Sequence, residues 1–247
     1  MSIRFDNTTE RLSRTANVPD DRSFTMCGWF QRVSHAGSFV TACGISQASS
    51  SPSHSFELAW SSAGALEITA YNAPANTTVF STNYTNDQWF FGALTGATST
   101  FTGYAGGPTV GILEAITVNV PQNYTPAIFW VGDNGWSEGA NFRAAALKVW
   151  DVALTATELE QERWYYAPAR LANLNLWTPL LLHTDVNDRS GNARNWTTTG
   201  TLSTEDGPPI GWAPRSRRYF IPGAAAATVL PPHNMIVSQA VSRAANW

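Results

Sequence analysis

Short runs in which apolar residues recur with period two, or fill both faces, alternate along the first 165 positions with clusters of Ser, Asn, Pro and Gly. Period two places successive side chains on opposite faces of a strand, and the clusters favour turns through side-chain bonds to the backbone or special φ values. The pattern predicts strands at 3–6, 24–33, 38–45, 55–60, 65–71, 88–95, 100–105, 112–120, 128–132 and 141–150. The connecting turns fall at 47–53, 72–76, 95–99, 106–108 and 132–140. Many short strands at such spacing make an all-β sandwich or jelly roll.

The run from Asn141 to Trp150 is apolar on both faces, which suits a central strand. After it, Thr155 stands three residues before Glu158. The hydroxyl can cap a helix while the carboxylate returns to the cap's own N–H, with Leu154 and Leu159 as the hydrophobic staple. One short helix is predicted from about Ala156 to Tyr166, ended by Pro168.

Three stretches carry a family resemblance. Trp150-Asp151-Val152-Ala153-Leu154-Thr155 with Glu158-Leu159 resembles the closing segment of laminin-G-like, concanavalin A-like jelly rolls. Ile3-Arg4-Phe5-Asp6-Asn7 followed by Phe24-Thr25 and Trp29 is similar to that group's opening pair of strands. Gln88-Trp89 to Gly96 with Thr102-Gly103-Tyr104-Ala105-Gly106 resembles one of its hairpins, Ala105 and Gly106 standing where Asn or Asp and Gly are usual. The resemblance implies a concanavalin A-like (laminin-G-like) jelly roll over residues 1–167. Residues 168–214 are expected to add strands and a linker; Asp188-Arg189-Ser190-Gly191-Asn192 also looks laminin-G-like, although such a motif commonly precedes the domain. Residues 215–247 are expected to form an extended C-terminal arm.

Composition narrows the function. Only 13% of residues are charged, against roughly 25% in an average soluble protein, and the net charge is −3. Neither nucleic acid nor an acidic membrane is expected as partner. No stretch approaches the roughly 20 apolar residues of a membrane span, and the start lacks a signal peptide's apolar core. Synthesis inside a cell is expected. A hairpin of 24–33 and 37–45 would set Cys27 opposite Cys43, and a reduced pair is the expected state there.

Candidate chemistry is sparse. Glycanases on concanavalin A-like folds resemble one another in an E-x-D-x-(x)-E strand whose alternate carboxylates face a cleft. This chain has none: Glu57 and Glu67 stand in separate strands, and Glu158 and Glu160 lie on the helix. The four His residues show no metal spacing, so no catalytic residue is assigned. The fold suggests calcium, for which Asp133, Asn134, Glu138 and Asn141 form the best oxygen cluster, thin beside the six to eight oxygens the ion takes. Trp60, Tyr124 and Trp136 fall near predicted loops, where a ring could stack on a sugar. Trp29, Trp89, Phe91, Trp130 and Trp150 read as core.

The arm decides between functions. Arg215, Arg217 and Arg218 precede Tyr219, Phe220 and Ile221, and the arm goes on through Leu230, Met235, Ile236 and Val237 to Trp247. Free segments this apolar aggregate, so the arm is expected to be covered by an assembly or by its own domain. The whole chain, with its Arg217-Arg218-Tyr219-Phe220-Ile221-Pro222 tail, resembles laminin-G-like proteins of tailed-phage virions. That implies a non-enzymatic capsid decoration protein, made in the host cytoplasm and carried on the virion. The expected partners are sister subunits, the major capsid protein and a surface glycan. A trimer is expected from the threefold sites of shells and from no residue. A carbohydrate-binding module or a tail-fibre, receptor-binding protein is the alternative.

Overall fold

The strand expected to be central is central, and a bulge within it positions the helix. In the computed structural model β12 (Phe142–Trp150) is flanked by β3 (Phe24–Arg32) and by β1 (Ser2–Phe5). Phe142 and Ala144 face the core between the sheets. The register with β3 then shifts between Ala145 and Lys148. Ala146 takes a left-handed φ of 54°, and its N–H donates to Pro179 O at 2.9 Å. The extra residue reverses the alternation, so Leu147 and Val149 point into the core. Lys148 is thereby turned outward, under the helix.

The described residues are 1–15, 17–18, 23–35, 37–47, 55–71, 76–97, 100–109, 111–119, 126–135, 138 and 141–212. The other elements, in chain order, begin with β2 (Arg11–Arg14), β4 (Val40–Ser46), β5 (Ser55–Trp60), β6 (Leu66–Tyr71) and β7 (Asn76–Val79). Next come β8 (Trp89–Ala97), β9 (Thr100–Gly106), β10 (Glu114–Asn119) and β11 (Ile128–Gly132). After β12 follow α1 (Ala156–Glu162), β13 (Leu174–Thr178), β14 (Thr197–Thr199) and β15 (Ser203–Glu205). One sheet runs β10-β9-β8-β3-β12-β1-β15 with β13 also on β12; the other runs β14-β2-β11-β4-β5-β6-β7. All strand pairs are antiparallel. The result is the expected all-β sandwich. Phe5, Phe24, Phe30, Phe56, Phe90 and Phe129 fill the space between the sheets. Phe5 and Phe142 stack at 4.8 Å.

The outer face of the eight-stranded sheet carries a second apolar cluster. Trp29, Phe91, Ala93, Ala145 and Trp150 meet Leu154, Leu159 and Tyr166 there. Thr155 Oγ1 accepts from the Glu158 N–H, and Glu158 Oε2 accepts from the Thr155 N–H, the expected capping box. Leu154 and Leu159 are both buried. The helix ends at Glu162, earlier than Tyr166, and Glu162 closes an ion pair with β12. Lys148 Nζ donates to Glu162 Oε2 at 2.9 Å, to Glu162 O at 2.8 Å and to Tyr165 O at 2.8 Å. The Glu162 carboxylate also accepts from the N–H groups of Ala169 and Arg170. Both side chains are 1% exposed, and every charge is matched, the condition under which burying a pair is tolerated.

Several expectations need correction. Cys27 and Cys43 do not face each other across a hairpin. The chain crosses between sheets after β3, so Cys27 pairs with Ala93 and Lys148 in one sheet and Cys43 with Leu58 and Val131 in the other. Both thiols are free and buried. Strands β2 and β7 were not expected, since a single apolar residue in each, Leu12 and Val79, gives no apolar period. Residues 168–214 supply β13 on β12, β14 on β2 and β15 on β1. Residues 168–214 thus complete both sheets. Met1–Pro214 is one compact unit; Arg215, Arg217, Arg218 and the rest of the arm lie outside the described residues. No helix among the described residues is long and apolar enough to cross a membrane.

Candidate functional site

A cleft of about 580 Å³ opens at the rim where the loop between β7 and β8 meets Pro209. Asn83, Tyr84, Asp87, Gln88 and Trp89 line one side, with Gly107 and Pro108 opposite. Trp89 begins β8 on the outer face of its sheet. Residues at strand ends meet fewer neighbours, so this ring is half-buried where Trp29 and Trp150 are fully covered. From sequence Trp89 reads as core; the polar run Thr82–Gln88 immediately before it is the signal that its edge meets solvent.

The loop is held from several directions. Glu114 accepts from the N–H groups of Ser81 and Thr82, the latter at 3.0 Å. Partial burial would raise that carboxyl, yet these N–H donors keep it below its ordinary range. The Asp87 N–H donates to Arg32 O at 2.7 Å, and Gln31 Nε2 donates to Asp87 O at 2.7 Å. Those bonds hold Asp87 at a φ of 63°, a conformation Asp accepts more readily than most residues. Gln88 Oε1 accepts from the Thr85 N–H at 3.1 Å, leaving its NH₂ end for other acceptors. The opposite wall is fixed by Arg163, buried at 1% exposure. Its guanidinium donates to the carbonyls of Gly107, Thr109 and Gly111. A rigid aromatic ring flanked by amide and carboxylate groups can stack on an apolar ring face and exchange hydrogen bonds with hydroxyls.

The residues singled out from sequence are distributed otherwise. Trp60 is not at a rim: with Phe56 and Leu58 it points into the core and is 0% exposed. Its ring packs edge-on to Phe90 at 5.8 Å, with the Arg32 guanidinium 5.9 Å away. Tyr124 and Trp136 lie outside the described residues. Asp133, Asn134 and Glu138 do gather, with Asn134 Nδ2 donating to Glu138 Oε2 at 2.7 Å. Asn141 turns its oxygen to Arg4 Nε at 3.1 Å instead. Among the described residues no group of three or more His, Cys, Asp or Glu is arranged to hold a metal ion.

Beside Asn134 and Glu138 stands Glu57. It lies on the outer face of the seven-stranded sheet, 3% exposed, and accepts from Ser55 Oγ. Burial pushes its carboxyl from 4.5 up to about 8, with Glu138 and Glu67 adding repulsion against the bonds from Ser55 and Asn134. Glu138 is also raised, by burial and by Asp133. Glu67, isolated in sequence, is the diagonal neighbour of Glu57, because Glu57 pairs with Thr69 across β5 and β6. Burial and the neighbouring carboxylates thus favour the protonated form of Glu57.

No family model matches the chain, and no curated protein matches it. Solved structures do. The chain is similar to a candidate carbohydrate-binding protein from Bacteroides ovatus at TM-score 0.59 and 17% identity, over 84% of this chain and 61% of that one. It is similar to the heptameric SAP-like pentraxin of Limulus polyphemus at 0.55 and 15%, over 81% and 92%. It is similar to the enzymatically active domain of bacteriophage CBA120 tailspike protein 2 at 0.50 and 14%, over 68% of this chain and 27% of that one. The chain thus spans less than two thirds of the first and about a quarter of the last. Two antiparallel sheets in this order, with one helix against the outer face, make the fold a concanavalin A-like jelly-roll sandwich.

Proposed function

We propose that the chain is a non-enzymatic carbohydrate-binding module whose ligand enters the rim cleft beside Trp89. The observation that carries this reading is the cleft itself: a half-buried indole on a pinned loop, with Asn83, Asp87 and Gln88 around it. The likeness to the Bacteroides ovatus protein is in keeping with it. Calorimetric titration against a glycan panel tests it. Trp89→Ala is expected to weaken binding at least tenfold, about 1.4 kcal/mol. Asn83→Ala, at an exposed position, weakens it without touching the core. Absence of any glycan affinity, or equal affinity in both variants, refutes the reading.

Its proposed setting is a tailed-phage virion, as a capsid decoration protein anchored by residues 215–247. The apolar composition of that arm supports assembly with sister subunits and with the major capsid protein. Light scattering of the full chain beside a chain ending at Pro214 tests it. An oligomer that becomes a folded monomer on truncation is the expected result; two equal monomers would refute it.

A further inference from the structure

We propose that the cleft extends to a second subsite at Trp212, so that the ligand is a neutral oligosaccharide rather than a single sugar or an acidic glycan; this rests on the carbohydrate-binding reading above. Trp212 is 49% exposed, which is uncommon for an indole that has a solid backing. Its ring lies 6.1 Å from Tyr166 at 29° and 6.2 Å from Trp177 at 57°. Its main chain is tied down: Trp212 O accepts from the Ala167 N–H at 2.8 Å, Gly211 O from the Tyr166 N–H at 2.9 Å, and the Gly211 N–H donates to Trp164 O at 3.0 Å. A flat apolar surface is thus presented in one orientation and stays half uncovered.

Trp212 follows three residues after Pro209, which forms part of the cleft wall. Three residues reach at most ~11 Å, so the Trp212 backbone stands within that distance of the cleft wall, inside the span of a short oligosaccharide. Charge sets the class. Among the described residues the cleft lining holds one ionisable carboxylate, Asp87, and no Lys, Arg or His. The cation behind the wall, Arg163, is buried and directs its guanidinium to three carbonyls of the loop. A sialic or uronic acid would bring a second carboxylate against Asp87 with no cation among the described lining residues to compensate it. Neutral hydroxyls can donate to Asp87 and accept from the Gln88 NH₂.

The test uses the full chain and a panel of neutral gluco-, galacto-, manno- and xylo-oligomers of one to six units, beside sialylated and uronic-acid oligomers. Binding to a neutral series should strengthen at least tenfold from one unit to the longer members. Trp212→Ala should abolish that gain while leaving the single-unit affinity unchanged, and Trp212→Phe should keep most of it. Affinity independent of length, an unchanged gain in Trp212→Ala, or preference for the acidic oligomers overturns the proposal while leaving the Trp89 cleft standing. Failure of every oligomer to bind overturns both.

Discussion

Glu57→Gln should make the protein more stable as pH rises, relative to the unsubstituted chain. The Glu57 carboxyl is buried at 3% exposure, beside Glu138 and Glu67, and its folded-state value stands at about 8 against an ordinary 4.5. Between those values the folded state holds a proton that the unfolded chain has released. Stability must therefore fall with rising pH across that window, by ~1.4 kcal/mol per pH unit and by ~5 kcal/mol over the whole of it. Glu138 and Glu67 are raised in the same direction, so their contributions have the same sign. Gln has the shape of a protonated Glu and cannot ionise. Its chain should match the parent near pH 4.5 and gain on it by ~3 kcal/mol at pH 7. Urea unfolding of both proteins at pH 5, 6, 7 and 8 measures the difference. If the two stability curves run parallel, Glu57 ionises freely in the fold and the cluster described on the outer face is not there.

The remaining predictions concern packing and capping. Lys148→Met strands the buried Glu162 carboxylate and should cost ~3–5 kcal/mol in urea unfolding. Gly44→Ala should cost ~1–3 kcal/mol, because its Cβ would stand 2.5 Å from the Trp130 ring and 2.7 Å from Phe56 O; near-ultraviolet circular dichroism should register the displaced indole. Thr155→Ala removes the cap of α1 and should lower stability by ~1 kcal/mol, with Thr155→Ser restoring most of it in the same denaturation assay. Burial pushes the Cys27 thiol up to about 12 and raises Cys43 further. A thiol reagent at pH 8 should therefore label neither until the chain is unfolded; rapid labelling of the native protein would refute their burial.

Local chemistry determined much of this protein without reference to anything distant. The period-two runs, the Thr155–Glu158 capping box and the doubly apolar strand 142–150 each depend on residues within a few positions of one another, so their reading needed no neighbours. Side-chain partners across the sheets were another matter. Which face of β12 Lys148 occupies depends on a one-residue bulge at Ala146, and period two by itself assigns the opposite phase. Cys27 and Cys43 satisfied a hairpin register that the chain does not use, because sandwich topology sends β3 and β4 to different sheets. Trp60 and Trp89 both sit at strand ends in the sequence; alternation with Phe56 and Leu58 buries the first, while the second begins its strand on the outer face beside an open loop. Glu57 and Glu67 become neighbours only through the β5–β6 register. The cleft is assembled from residues 82–89, 107–108 and 209, and its second aromatic surface from 166, 177 and 212. Such long-range meetings are set by how two sheets and a returning strap close on a shared core, which no local pattern in the chain encodes.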